Sequence, residues 1–171
     1  LPISGWFNTM KGPDDHLIYF KTDEKGNIIY DARTNSAQTY TRSYNYDSAA
    51  GINYIVDVSK PAGQRITITS LSSGKPFDLS ATYSVAINSY RAQGGGGHLT
   101  NGAGISQADL ISYKYVTSST IKDLRYYLMK WFENYKGVVK PFVFNNWSVI
   151  PADWVAAAKQ RDMLILYPPS K

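Results

Sequence analysis

The 171-residue sequence contains no cysteine. That absence removes a disulfide scaffold, thiolate-bound zinc and a cysteine nucleophile together. Histidine is scarce: His16 and His98 are the only two, too few for a multi-histidine metal centre. Long hydrophobic runs are missing, so no segment reads as a membrane span. No run of five or six like charges occurs, which argues against a nucleic-acid tail and against a nucleic-acid polymer as partner. The first residues, Leu1-Pro2-Ile3, show no basic-then-apolar leader, as expected of a processed chain or a fragment.

What is abundant is tyrosine: 14 of them, beside six phenylalanines and four tryptophans. Tyrosine combines a flat apolar face with a polar tip and suits half-exposed stacking surfaces. Apolar residues at 43% and charged residues at 18% exclude disorder. The length predicts a single domain with its own core. The net charge of +5 comes from scattered residues, which reads as a solubilising surface with some pull on anions. Many aromatics and few catalytic groups favour binding over self-contained catalysis.

Residues 1–12 carry Trp6, Phe7 and Met10 at helical spacing and read as the end of a helix. His16–Phe20 and Ile28–Tyr30 read as a hairpin around the turn Asp23–Asn27. Residues 33–50 form a tyrosine-rich loop or edge. Asn53–Val58 alternates, with Tyr54, Val56 and Val58 on one face. Pro61-Ala62-Gly63 turns the chain into Arg65–Thr69, with Ile66 and Ile68 inward. Thr82–Ile87 reads as a third, central strand. A long helix is predicted over 117–137, capped by Ser/Thr, with Ile121, Leu124, Leu128, Trp131, Phe132 and Tyr135 on a buried face. Phe142–Phe144 reads as a short strand, Pro151–Lys159 as a short helix and Met163–Leu166 as a strand closing the sheet. Irregular alternation of strands and helices points to an α+β fold: a mixed, mostly antiparallel sheet packed with one long and a few short helices.

The segment with the most chemical content is Asn88-Ser89-Tyr90-Arg91-Ala92-Gln93 followed by Gly94-Gly95-Gly96-Gly97-His98. A strand end that offers an aromatic beside four glycines lets a planar ligand slide against the ring, because glycine allows close backbone approach. Base stacking on such a ring contributes about 1–3 kcal/mol. A flexible loop with a packed tyrosine would give the same pattern. The glycine spacing is not that of a dinucleotide fingerprint, and no Gly-Lys-Ser/Thr follows as a P-loop would need.

Three linked motifs, in order, resemble the C-terminal domain of the 5′-nucleotidase family. The first is Tyr46 to Val58 with Pro61-Ala62-Gly63-Gln64-Arg65-Ile66. The second is Gly74-Lys75-Pro76-Phe77-Asp78-Leu79-Ser80-Ala81-Thr82-Tyr83. The third is the Asn88–Gly97 loop. The resemblance is nearest to the branch acting as 2′,3′-cyclic-nucleotide 2′-phosphodiesterase and 3′-nucleotidase, and residues 99–171 resemble the family only loosely.

The resemblance implies a two-domain hydrolase of nucleotide catabolism. An N-terminal metallophosphoesterase domain would hold two divalent metals and the catalytic groups. The C-terminal domain would sandwich the base between two aromatics, with Tyr90 as one of them. Asn88, Arg91, Gly94, Gly95, Gly96 and His98 are then further substrate-binding candidates. Gly96 stands where the 5′-nucleotidases carry an aspartate on the ribose hydroxyls. A carboxylate there would repel a 3′- or 2′,3′-cyclic phosphate, so glycine fits that branch. No counterpart of the second stacking aromatic is found. The chain is therefore expected to be one incomplete substrate-binding domain over 1–171, without its catalytic domain. It should hold no catalytic residue and no metal, and be inactive alone. The expected partners are a nucleotide or nucleoside and the protein's own metallophosphoesterase domain; the expected location is periplasmic, cell-envelope or secreted, in a bacterium. Asp14-Asp15-His16 offers too few groups for a two-metal site. Tyr40, Tyr44 and Tyr46 read as edge packing, and Trp131 and Phe132 as core. The alternative reading is a carbohydrate-binding or protein-interaction module without catalysis.

Overall fold

The structure is a computed structural model that describes Phe7 and residues 10–168. Its elements are β1 (Ile52–Asp57), β2 (Ile66–Leu71), α1 (Ser89–Ala92), α2 (Gln107–Ile111), α3 (Leu124–Asn134), β3 (Trp147–Ile150) and α4 (Ala152–Leu166). The fold is α+β. It divides into two units: Leu1–Ser80 with Asn145–Lys171, and Ala81–Phe144.

Unit one is built on a three-stranded mixed sheet in the order β2-β1-β3. β1 pairs antiparallel with β2, with Val56 opposite Ile66. It pairs parallel with β3, with Tyr54 opposite Trp147. The alternation read in β1 sets the core, because successive side chains take opposite faces of a strand. Tyr54, Val56 and Val58 are buried with Phe7, Met10 and Ala158. Ile66 and Ile68 pack against them as expected, joined by Trp147, Val149 and Trp154. Gly63, in the turn between the strands, has φ +87, a left-handed conformation that glycine adopts without the Cβ penalty.

The partner of β1 differs from the expectation. Thr82–Ile87 forms no strand, and Val85 and Ile87 are exposed. β-branched composition makes a segment suitable for a ladder but supplies no partner for its N–H and C=O groups. The second edge of β1 is taken instead by Trp147–Ile150. Nor is Phe142–Phe144 a strand; its rings are exposed. His16–Phe20 and Ile28–Tyr30 contribute only isolated bridges (Phe20 to Thr39, Thr22 to Ile28, Tyr30 to Ala37), so the predicted hairpin is a series of single bridges around the Asp23–Asn27 turn.

Met163–Leu166 continues α4 and does not return to the sheet. The helix begins after Pro151 and turns Trp154, Ala158 and Asp162 to one side, the i, i+4, i+8 row of a helix. Asp162 is 3% exposed. Its carboxylate meets His16 Nδ1 at 2.5 Å and accepts from the Ile18 amide at 2.9 Å. Arg161 donates to the carbonyls of Pro13 and Asp15. One turn of α4 thus holds the 13–18 segment by side chain-to-backbone bonds.

The tyrosines of 33–50 pack at the edge, as expected for two of the three. The ring of Tyr40 lies 4.2 Å from that of Tyr19, and the ring of Tyr46 lies 6.2 Å from Trp147, while Tyr44 meets the Arg42 guanidinium at 5.9 Å; all three stay exposed. Burial, with a smaller contribution from neighbouring Tyr54, pushes the Tyr46 phenol up to about 12. A phenol raised in the folded state stabilises fully below its ordinary value of 10.0, and that contribution is lost as pH climbs toward 12. An alkaline titration followed by phenolate absorbance is therefore expected to show a late step near the unfolding transition. The step should shrink in Tyr46→Phe without vanishing, because burial also raises the Tyr54 phenol.

In unit two, the predicted long helix is shorter, Leu124–Asn134, and its N-cap is Asp123, which accepts from the Tyr126 amide at 2.9 Å. Its apolar stripe is exposed, contrary to the reading of a buried face. Ile121, Leu124, Leu128, Trp131, Phe132 and Tyr135 are between 45% and 94% exposed. Periodicity identified the residues that share a side; no described element packs extensively over them. Trp131 and Phe132 are therefore not core.

Candidate functional site

The glycine loop lies wholly within unit two. Asn88, in extended conformation, caps α1 by accepting from the Arg91 amide at 2.9 Å. This cap, in place of the expected strand end, sets Tyr90 on a single helical turn. Tyr90 is 60% exposed. Gly94, Gly96 and Gly97 all have positive φ (92, 76 and 74), and the chain doubles back over the turn. Gly95 then sits against the Tyr90 ring. A Cβ on Gly95 would fall 2.6 Å from ring carbons Cε1 and Cε2 and 2.5 Å from the Tyr90 carbonyl. Backbone thus covers part of the ring, and the residue stays largely open to solvent.

Arg91 is buried at 8% exposure, and its guanidinium donates to the Gly95 carbonyl at 3.1 Å. It also lies 5.4 Å from the Tyr90 ring centroid, within cation–π range. Its geometry is that of a clamp on the loop. His98 Nδ1 pairs with the Gly96 carbonyl at 2.9 Å, closing the next turn. Asn88, Tyr90, Arg91, the glycines and His98 therefore form one small structure in which Tyr90 presents the open aromatic surface.

Three residues that support this loop were not picked out from the sequence. Gln107 Nε2 donates to the Gln93 carbonyl at 2.8 Å, and Gln93 Nε2 donates to the Tyr113 hydroxyl at 2.7 Å. Gln107 also closes on Gly94, where a Cβ would meet its Oε1 at 2.5 Å. Tyr113 holds φ 56, uncommon for a non-glycine residue. α2, which carries Gln107, starts at Ser106, whose hydroxyl accepts from the Asp109 amide at 3.1 Å. Ser followed by Asp three residues on is a legible helix-start signal. The side-chain bonds back to the loop have no sequence signature.

Two concavities lie in unit one. One, of about 310 Å³, is lined by Lys11, Ser59, Lys60, Pro61, Ala62 and Arg65. The other, of about 230 Å³, runs between Asn53–Ile55 and Asn145–Ser148. Neither includes Tyr90. Among the described residues, no three His, Asp or Glu side chains gather as metal ligands. The residues present do not fit a two-metal centre: Asp15 accepts from the Lys11 and Gly12 amides, and His16 is held by Asp162. No described helix is long and apolar enough to cross a membrane.

The loop motif and its flanks have counterparts in known proteins. The chain is 40% identical over 123 residues to the trifunctional nucleotide phosphoesterase protein YfkN of Bacillus subtilis, a match covering 64% of this chain and 8% of that protein. It is 32% identical over 124 residues to the 2′,3′-cyclic-nucleotide 2′-phosphodiesterase/3′-nucleotidase of Salmonella typhimurium, covering 64% of this chain and 18% of the relative. It is 33% identical over 125 residues to the protein of the same description from Yersinia enterocolitica, covering 63% and 17%. The chain thus spans less than a fifth of the length of each of these relatives. No solved structure gives a significant match. The model of the 5′-nucleotidase C-terminal domain matches residues 16–102, which include β1, β2, Tyr90 and the glycine run. That match takes in half of the sequence, and the chain belongs to the 5′-nucleotidase C-terminal domain family.

Proposed function

We propose that this chain is the substrate-recognition domain of a bacterial envelope or secreted nucleotidase of the 2′,3′-cyclic phosphodiesterase/3′-nucleotidase kind. The observation that carries the reading is the exposed Tyr90 ring, braced by Gly95 and Arg91 on a loop built to keep it there. A purine or pyrimidine stacks on such a face with little regard to sequence context, because every base has a π surface. Absence of a carboxylate at Gly96 leaves room for phosphate on the ribose hydroxyls. The relatives' names, which include cyclic phosphodiesterase and 3′-nucleotidase, point the same way. In this reading the hydrolytic chemistry, with its two divalent metals, belongs to a separate metallophosphoesterase domain of the protein. This chain contributes binding energy and orientation.

The test has two arms. The isolated chain, given 2′,3′-cyclic AMP and a divalent metal, should show no turnover; robust hydrolysis would overturn the separation of roles. In the whole protein, Tyr90→Ala should raise KM about five- to 150-fold, the equivalent of one lost stacking contact of roughly 1–3 kcal/mol. An unchanged KM would remove Tyr90 from the site.

A further inference from the structure

A dense group of exposed apolar side chains lies outside the matched residues 16–102. α3 turns Leu124, Leu128, Trp131 and Phe132 to one side, with Ile121 before it and Tyr135 after it in the same row. The aromatic rings are organised: Trp131 stacks on Tyr135 at 4.7 Å and meets Phe132 edge-on at 5.0 Å. Single exposed apolar residues are ordinary on a protein surface, but a contiguous stripe of this kind marks a contact surface.

The charge around the stripe says what kind of contact. Residues 121–144 hold five basic side chains, Lys122, Arg125, Lys130, Lys136 and Lys140, against Asp123 and Glu133. Glu133 and Lys130 pair with each other at 2.6 Å, which leaves Lys122, Arg125, Lys136 and Lys140 against Asp123, the helix cap. The occupant must therefore be apolar at its centre and anionic at its rim. Its shape is constrained as well. α3 packs extensively against no other named helix or strand, so no second described helix stands beside it to form a two-helix groove for a partner helix. A convex amphipathic helix with aromatics on one face and basic residues beside it suits a planar lipid surface.

We infer that the α3 stripe is a docking surface for a bilayer carrying anionic headgroups, with the helix lying in the plane of the interface. Trp131, Phe132 and Leu128 enter the acyl boundary, and Lys136, Lys140 and Arg125 meet the headgroup phosphates. The attachment is peripheral, without a membrane span. Its electrostatic part is screened by salt.

The experiment is co-sedimentation of the full 171-residue chain with mixed phosphatidylglycerol–phosphatidylcholine vesicles and with phosphatidylcholine vesicles alone. Partition onto the anionic vesicles should be stronger by about tenfold or more, since each basic residue near the surface adds to it. The double variant W131S/F132S should lose about tenfold or more on anionic vesicles. K136E/K140E should abolish most of the difference between the two vesicle types. All four side chains are on the surface, and far-ultraviolet circular dichroism should show both variants folded as the parent. Three results would overturn the inference: no partition onto either vesicle, equal partition of the parent onto both, or unchanged binding by W131S/F132S. A concentration-dependent dimer that W131S/F132S dissociates would instead assign the stripe to contact between copies of the chain.

Discussion

Arg65→Ala is expected to lower the stability of unit one by about 2–4 kcal/mol, from the buried backbone carbonyls it leaves without a donor. Arg65 is 3% exposed. Its Nε donates to the Lys60 carbonyl at 2.7 Å, and its two terminal nitrogens donate to the carbonyls of Phe7 and Met10. Burial holds its basicity below the ordinary value, with Asp57 partly opposing. One planar fork thus ties Phe7 and Met10 to the turn before β2. Truncation strands buried carbonyls, and each carries a desolvation cost of roughly 1–3 kcal/mol where water cannot reach it. The check is the midpoint of guanidinium unfolding. Arg65→Lys should recover less than half of the loss, because an ammonium on a flexible stem cannot reproduce the fork. Full recovery by lysine would show that charge alone, and not the three-way bridge, stabilises the fold.

Tyr54→Ala should cost a comparable amount, about 3–5 kcal/mol. Tyr54 is 2% exposed and lies on the central strand of the sheet. Its ring stacks on that of Trp147 at 5.8 Å with an interplanar angle of 3°, across the parallel β1–β3 pairing. Alanine removes the ring, opens a cavity in the cluster that holds Val56 and Met10, and takes away the stacked partner of Trp147. The hydroxyl adds little, since it accepts only a long bond, 3.4 Å, from the Ala49 amide. Tyr54→Phe should therefore cost about 1 kcal/mol or less. If the phenylalanine variant lost as much as alanine, the hydroxyl and not the stack would be the stabilising element.

These two residues also show where the sequence was readable. The alternation of Tyr54, Val56 and Val58 identified the core face of β1, and the Pro61-Ala62-Gly63 turn located β2. Both signals are local: a period of two and a residue that tolerates positive φ. What local pattern could not supply was the partner on the other edge of β1. Trp147–Ile150 is only four residues long, and its pairing is made to a strand far away in the chain. Thr82–Ile87 looks more strand-like but joins no ladder among the described residues. Met163–Leu166 has strand composition too, yet the row Trp154–Ala158–Asp162 carries the helix through it.

In the candidate site, the glycines and Tyr90 were legible because a run of four glycines is what a chain needs to take left-handed φ at three positions, 94, 96 and 97, so close together. The braces, Gln93, Gln107 and Tyr113, were not, since a glutamine bonded to a backbone carbonyl looks like any surface glutamine. Arg91 was visible as a charge beside the ring; that it turns inward to the Gly95 carbonyl is a matter of geometry alone. On α3, periodicity identified the shared side correctly, but it carries no information about what covers that side.

The discontinuity of unit one has a consequence for biosynthesis. β1 and β2 leave the ribosome before unit two, yet the strand that completes their sheet and the helix that adds Ala158 to their core are encoded after the whole of it. Until then one edge of β1 remains an unpaired ladder, the kind of edge that recruits stray strands. The nascent chain therefore passes through a stage in which the glycine loop has been made while the central sheet is still open. Chaperone protection during elongation matters most in that interval.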